Sequence, residues 1–190
     1  MELETRYSAG LVILYRGQIL LGRTAGRKSE RAWGIPKGGI EEGESTIDAA
    51  IRETREELGI KVNKKLIKPT QYTFAVTSKK YRYNKVVYYY IVEIKDLKQI
   101  GLKELIVPKK QLDTSEISES KFFNLLEAKQ KVMISQTPVI DNMASKGLLE
   151  SNNIQQGVGE DDRLLKIRQF KGTIKDYKTY WDDRSNETRN

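Results

Sequence analysis

The sequence predicts an α/β domain, and three observations lead there. A strand hairpin stands near the start, a well-capped helix follows it, and beyond the helix come paired runs of aromatic and β-branched residues. The chain of 190 residues is long enough for one domain with an appendage, and it can bury a core without disulfide staples.

In chain order, Leu11-Val12-Ile13-Leu14-Tyr15 and Ile19-Leu20-Leu21 flank Arg16-Gly17-Gln18, which reads as a hairpin around a glycine turn. Thr24 to Arg31 is polar and reads as a loop. The stretch Trp33-Gly34-Ile35-Pro36-Lys37-Gly38-Gly39 is held out of helix by its glycines and central proline. Ser45 suits a helix N-cap, with Asp48 in the first turn, and Gly59 suits the stop after Leu58. Strands are expected around Tyr72–Thr77 and Val86–Ile94, with the basic connection Ser78–Lys85 between them. A further strand is expected near Glu116–Phe123, then helices over Leu125–Val132 and Pro138–Ala144. The domain is expected to span 1–147. Residues 148–190 are expected to be a C-terminal extension: a polar linker, room for one amphipathic helix within 163–181 built on Leu164, Leu165, Ile167 and Phe170, and an end of disordered composition.

The composition narrows the chemistry. There is no cysteine and no histidine, so disulfides, thiol nucleophiles, thiolate zinc sites and imidazole bases are excluded. Carboxylates are left as the natural base, and a metal would be a hard cation held by oxygens. The run MELETRYSAG is acidic, and no apolar stretch approaches the roughly 18 residues of a membrane span. A cytoplasmic protein without membrane association is expected. The net charge of +8 is concentrated in residues 61–110, which hold 13 Lys/Arg against 3 Asp/Glu. That excess suits a polyanion such as RNA, and suits equally a solvated lysine-rich surface.

The central helix carries the chemistry. On a wheel of about 100° per residue, Glu53, Glu56 and Glu57 crowd one face, while Ile47, Ala50, Ile51, Thr54 and Leu58 form another. Three anions so close repel one another unless a cation joins them. Gly38-Gly39 permits close backbone approach, and Lys37 offers a positive charge to a phosphate oxygen. A solvated acidic face, offset by Arg52 and Arg55, is the competing reading.

Gly38, Glu44 and Arg52-Glu53-Thr54-Arg55-Glu56-Glu57-Leu58-Gly59-Ile60 resemble the Nudix box, GX5EX7REUXEEXGU with U apolar. All of its fixed identities are present, a chance match on the order of one in 10⁸ per starting point. Thr54 departs from the usual aliphatic residue. The resemblance covers about residues 5–147 and implies an α/β/α sandwich around a mixed β-sheet. It implies Mg²⁺ or Mn²⁺ held by Glu53, Glu56 and Glu57, with a backbone carbonyl at Gly38 completing the shell. It also implies that Arg52 orients Glu53, that Glu53 doubles as general base, and that Glu116 or Glu119 supplies a further base or ligand. The family cleaves nucleoside diphosphates linked to another moiety.

The moiety is left open. Trp33-Gly34-Ile35-Pro36-Lys37-Gly38 resembles the W-x-x-P-K-G loop of dinucleoside polyphosphate hydrolases and some RNA 5′-pyrophosphohydrolases. The leading expectation is a dinucleotide such as diadenosine tetraphosphate, bound by Lys37, Trp33, Lys79, Arg82 and Tyr83. Removal of pyrophosphate or cap from RNA is the alternative, and a non-catalytic nucleotide- or RNA-binding module is a third reading. For Trp33, simple packing against the core stands beside substrate contact. The extension has three open roles: docking on the domain, contacts in a homodimer, or a mobile tail.

Overall fold

The structure is a computed structural model, and it describes residues 4–78 and 83–150. Seven strands and three α-helices are described: β1 (Glu4–Tyr15), β2 (Gln18–Thr24), β3 (Trp33–Gly34), β4 (Lys37–Gly39), α1 (Thr46–Leu58), β5 (Ile67–Ser78), β6 (Tyr83–Ile94), β7 (Ile117–Phe123), α2 (Leu125–Lys131) and α3 (Thr137–Ser145). The sheet runs β3-β2-β1-β6-β5, with β4 on β1 and β7 on β2. β1 and β6 pair in parallel along their whole lengths, Glu4 with Tyr83 through Tyr15 with Ile94. The other strand pairs are antiparallel, so the sheet is mixed.

Alternation along β1 and β6 divides the core between two faces. Ala9, Leu11 and Ile13 join Tyr90 and Val92 against Ala49, Ala50 and Leu58 of α1. Val12 and Leu14 join Tyr89 and Ile91 against Leu125 and Ala128 of α2 and Val139, Ile140 and Met143 of α3. This is the expected α/β/α sandwich. No helix among the described residues is long and apolar enough to cross a membrane.

α1 forms where its caps predict. The Ser45 side chain accepts the Asp48 N–H at 3.2 Å, and Gly59, at φ 66°, donates to the Arg55 carbonyl. Thr54 is fully buried, and its hydroxyl donates to the Ala50 carbonyl at 2.8 Å, so the polar atom at an apolar position is satisfied within the helix. β1 begins at Glu4, well before the apolar run at Leu11. Its first four residues are exposed and are held by the β6 ladder rather than by burial.

The packed chain also runs past residue 147. Leu149 is buried, and Glu150 donates its N–H to the Gly17 carbonyl at 3.0 Å. The rest of the expected extension, 151–190, lies outside the described residues, as do Lys79 and Arg82.

Candidate active site

β4 and α1 face one another across a short gap, and each is built for the other. β4 is carried on β1 by pairing of Gly10 with Lys37, Ala9 with Gly38 and Ser8 with Gly39. A Cβ on Gly38 would overlap the Glu53 carboxylate, and a Cβ on Gly10 would overlap Pro36 and Lys37. Both positions need glycine for close approach.

Arg52 organises the acidic side. Its Nε and Nη2 each donate to Glu44 at 2.9 Å, its Nη1 donates to Glu53 at 2.8 Å and to Glu56 at 2.9 Å, and its Nη2 also reaches the Gly39 carbonyl at 2.7 Å. These bonds, with the Glu44 pair first, raise the guanidinium pKa further, and Glu44 is held below its ordinary value by the Arg52 hydrogen bonds. Glu53 moves the other way: burial raises it, Arg52 opposes, and the charges of Glu56 and Glu116 add to the rise.

Glu57 is the most perturbed acid. It is 9% exposed, and burial pushes its carboxyl up to about 8. Lys37 opposes that shift by charge and by its backbone N–H, while Glu53 and Glu116 reinforce it. On the opposite wall Lys37 is lowered, first by burial and also by Arg27, against the pull of Glu57 and Glu53. Lys85 is lowered to about 8 by burial and by the like charges of Lys37 and Arg6, again with Glu57 and Glu53 opposing. Arg6 stands directly across the ladder from Lys85. Anions and cations therefore stand within electrostatic reach of one another, as perturbed groups at functional sites do.

Of the residues singled out in the sequence, Lys37, Gly38, Arg52, Glu53, Glu56 and Glu57 come together here, and the charge of Glu116 reaches Glu53, Glu57 and Lys37. Glu119 instead pairs with Arg23 across β2 and β7 at 3.4 Å. Trp33 is buried, edge-on to Phe123 at 4.7 Å, so its ring packs within the core. Tyr83 lies beneath the Arg6 guanidinium at 4.6 Å. Sequence reasoning missed Arg6 and Arg27. Arg6 reaches the cleft only through the parallel β1–β6 register, and Arg27 sits in a polar loop with no motif to mark it.

The donor set fits a hard divalent cation in kind. It is all oxygen, and it includes the Glu57 carboxyl, whose ionisation is suppressed first by burial and then by the neighbouring carboxylates. Among the described residues no group of three acids stands assembled as a ready cage; Glu53 and Glu56 are instead turned to Arg52.

The comparisons with known proteins agree with this arrangement. The family model of the NUDIX domain matches residues 4–143. An RNA pyrophosphohydrolase of Sphingopyxis alaskensis is 45% identical over 60 residues, covering 31% of this chain and 37% of that protein. One of Bartonella clarridgeiae is 43% identical over 67 residues, covering 32% and 38%. The chain thus spans well under half the length of these relatives. Among solved structures, an Ap4A hydrolase of C. elegans has a TM-score of 0.54 at 22% identity, covering 74% of this chain and 96% of that one. A MutT NUDIX hydrolase of Burkholderia pseudomallei has a TM-score of 0.56 at 22% identity, covering 72% and 95%. At such identities the likeness shows the fold. With the domain matched over most of its length and the full box folded as one loop and one helix, the chain belongs to the Nudix hydrolase family.

Proposed function

We propose that this chain hydrolyses a phosphoanhydride at the polyphosphorylated 5′ end of RNA. The observation that carries the reading is that Glu53 and Glu57 act electrostatically on Lys37 and Lys85, with Gly38 packed on the Glu53 carboxylate and Arg6 beside Lys85 on the sheet. The acids suit activation of water, and the cations suit a chain of phosphates. The relatives named RNA pyrophosphohydrolase support RNA as the carrier of those phosphates.

Glu53, Glu56 and Glu57, with the carbonyl of Gly38, would hold Mg²⁺ or Mn²⁺. When bound, such an ion neutralises phosphate oxygens and eases deprotonation of the attacking water. Arg52 orients Glu53, whose carboxylate accepts the proton of that water. The water oxygen bonds to phosphorus as the anhydride P–O bond breaks. Lys37 and Lys85 meet the charge of the transferred and departing phosphates.

A second reading, hydrolysis of a dinucleoside polyphosphate, is favoured by Trp33-Gly34-Ile35-Pro36-Lys37-Gly38, which brings Lys37 to the same cleft. The two separate by product analysis. Purified protein with Mn²⁺ is expected to convert 5′-triphosphorylated RNA to the monophosphate faster, per kcat/KM, than it cleaves diadenosine tetraphosphate. Intact RNA beside cleaved dinucleotide would reverse the order, and no product from either would leave the binding-module reading.

A further inference from the structure

The corner between β3 and β4 is held from behind by residues 132–136, which join α2 to α3. Trp33 forms an isolated parallel bridge with Val132, and the Met133 N–H donates to the Trp33 carbonyl at 2.8 Å. Ile35 lies between the two short strands, and its N–H donates to Oε1 of Gln136 at 2.7 Å. Gln136 is 2% exposed and packs so closely on Gly34 that a Cβ there would come within 3.2 Å of the same Oε1. Its Nε2 is buried with no hydrogen-bond partner. A buried amide with one end unbonded is costly, and its bonded end is what holds it in place. That end serves the loop two residues before Lys37 and three before Gly38.

We propose that Gln136 is a positioning residue for the catalytic loop. By holding the Ile35 N–H it sets where Lys37 and Gly38 stand against Glu57 and Glu53. The far side of the loop is tied to β1 by the Gly10–Lys37 pair and to α1 by the Arg52–Gly39 bond. Without Gln136 the corner is still carried at Trp33 and Gly34 by β2 and Met133, but the Ile35 N–H, the step between β3 and β4, loses its partner. A displacement of about 1 Å in such a loop costs up to about a hundredfold in rate. The inference rests on reading Glu53, Glu56 and Glu57 as the cation site.

Two substitutions separate positioning from packing. Gln136→Met keeps the volume and removes the acceptor. Gln136→Glu keeps a carbonyl acceptor and exchanges the unpartnered nitrogen for a hydroxyl once its buried carboxyl is protonated, so all variants are compared at about pH 6. Mn²⁺ binding is read without substrate by the paramagnetic resonance of the free ion, and kcat and KM are read on triphosphorylated RNA. Gln136→Met is expected to weaken Mn²⁺ binding about fivefold and to lower kcat about tenfold or more, with KM changed less than about threefold. Gln136→Glu is expected to hold all three within about twofold of the wild type. If the Met variant does not fold, Gln136→Asn, which withdraws the amide by one methylene, is expected to weaken Mn²⁺ binding in the same direction. Unchanged Mn²⁺ affinity and kcat in the Met or Asn variant overturn the proposal, as does a Glu variant impaired as much as Met. Wild-type protein that takes up no Mn²⁺ refutes the cation site and the positioning role together. Uptake by wild type with equal affinity and equal kcat in the Met variant refutes the positioning role alone.

Discussion

Glu57 and Lys85 show how one cleft can push an acid and a base toward the same pH. Glu57 is buried beside Glu53 and Glu116, with Lys37 the leading charge that offsets it, so it suits a bound cation. Glu57→Gln, which keeps the shape and removes the charge, is expected to lower kcat by about 10²–10⁴ and leave the melting temperature near wild type. A steady-state assay beside a thermal melt checks both, and retained activity would reject the metal assignment. Lys85 is lowered to about 8, so its ammonium is charged below that pH and neutral above it. The KM for a polyphosphorylated substrate is therefore expected to rise as pH passes through about 8. In Lys85→Met that pH step should vanish and the KM at pH 7 should stand about tenfold higher. A variant that keeps the step would transfer it to another group.

At the scale of the element, α1 was legible because its signals are local. Ser45 and Asp48 at one end, Gly59 at the other, and apolar positions on one stripe lie within fifteen residues of sequence. Thr54, the one departure in the box, proved compatible because a helix supplies its own acceptor at Ala50. Gly59 is needed twice over, by its positive φ and by the Gln111 carbonyl lying where a Cβ would be. Gly59→Ala is expected to destabilise the protein by about 1–3 kcal/mol, measured by denaturant unfolding. A smaller loss would mean that the segment carrying Gln111 moves aside. The first half of β1 was not legible, because its polar residues are ordered by a ladder with strand partners some eighty residues away. Gln136 was hidden for the same reason: nothing near it in sequence hints at Ile35.

For the whole molecule, one charge of the surplus in residues 61–110, that of Lys85, stands at the site. Lys85 from that segment meets Lys37 and Arg6 from the first forty residues, so the patch is assembled by the sheet and not by the segment alone. Three such contacts to a single strand predict that log KM for RNA rises with log salt with a slope of about two. A flat response in a salt series would place the phosphates away from these groups. The fold class and the acid set could be read from the box and the element pattern, whereas the cationic wall depends on which strands become neighbours. Sequence shows such choices poorly, since parallel partners lie far apart along the chain.

The parallel pairing of β1 with β6 also sets an order in time. β4 hangs on β1, and β1 gains its inner neighbour only when residues 83–94 exist. Contacts this distant close slowly, after the local helix has had ample opportunity to form. The corner at Ile35 waits longer still, for Gln136. A chain emerging from the ribosome therefore carries every residue of its acidic helix long before it carries the strand and the glutamine that set the loop against it.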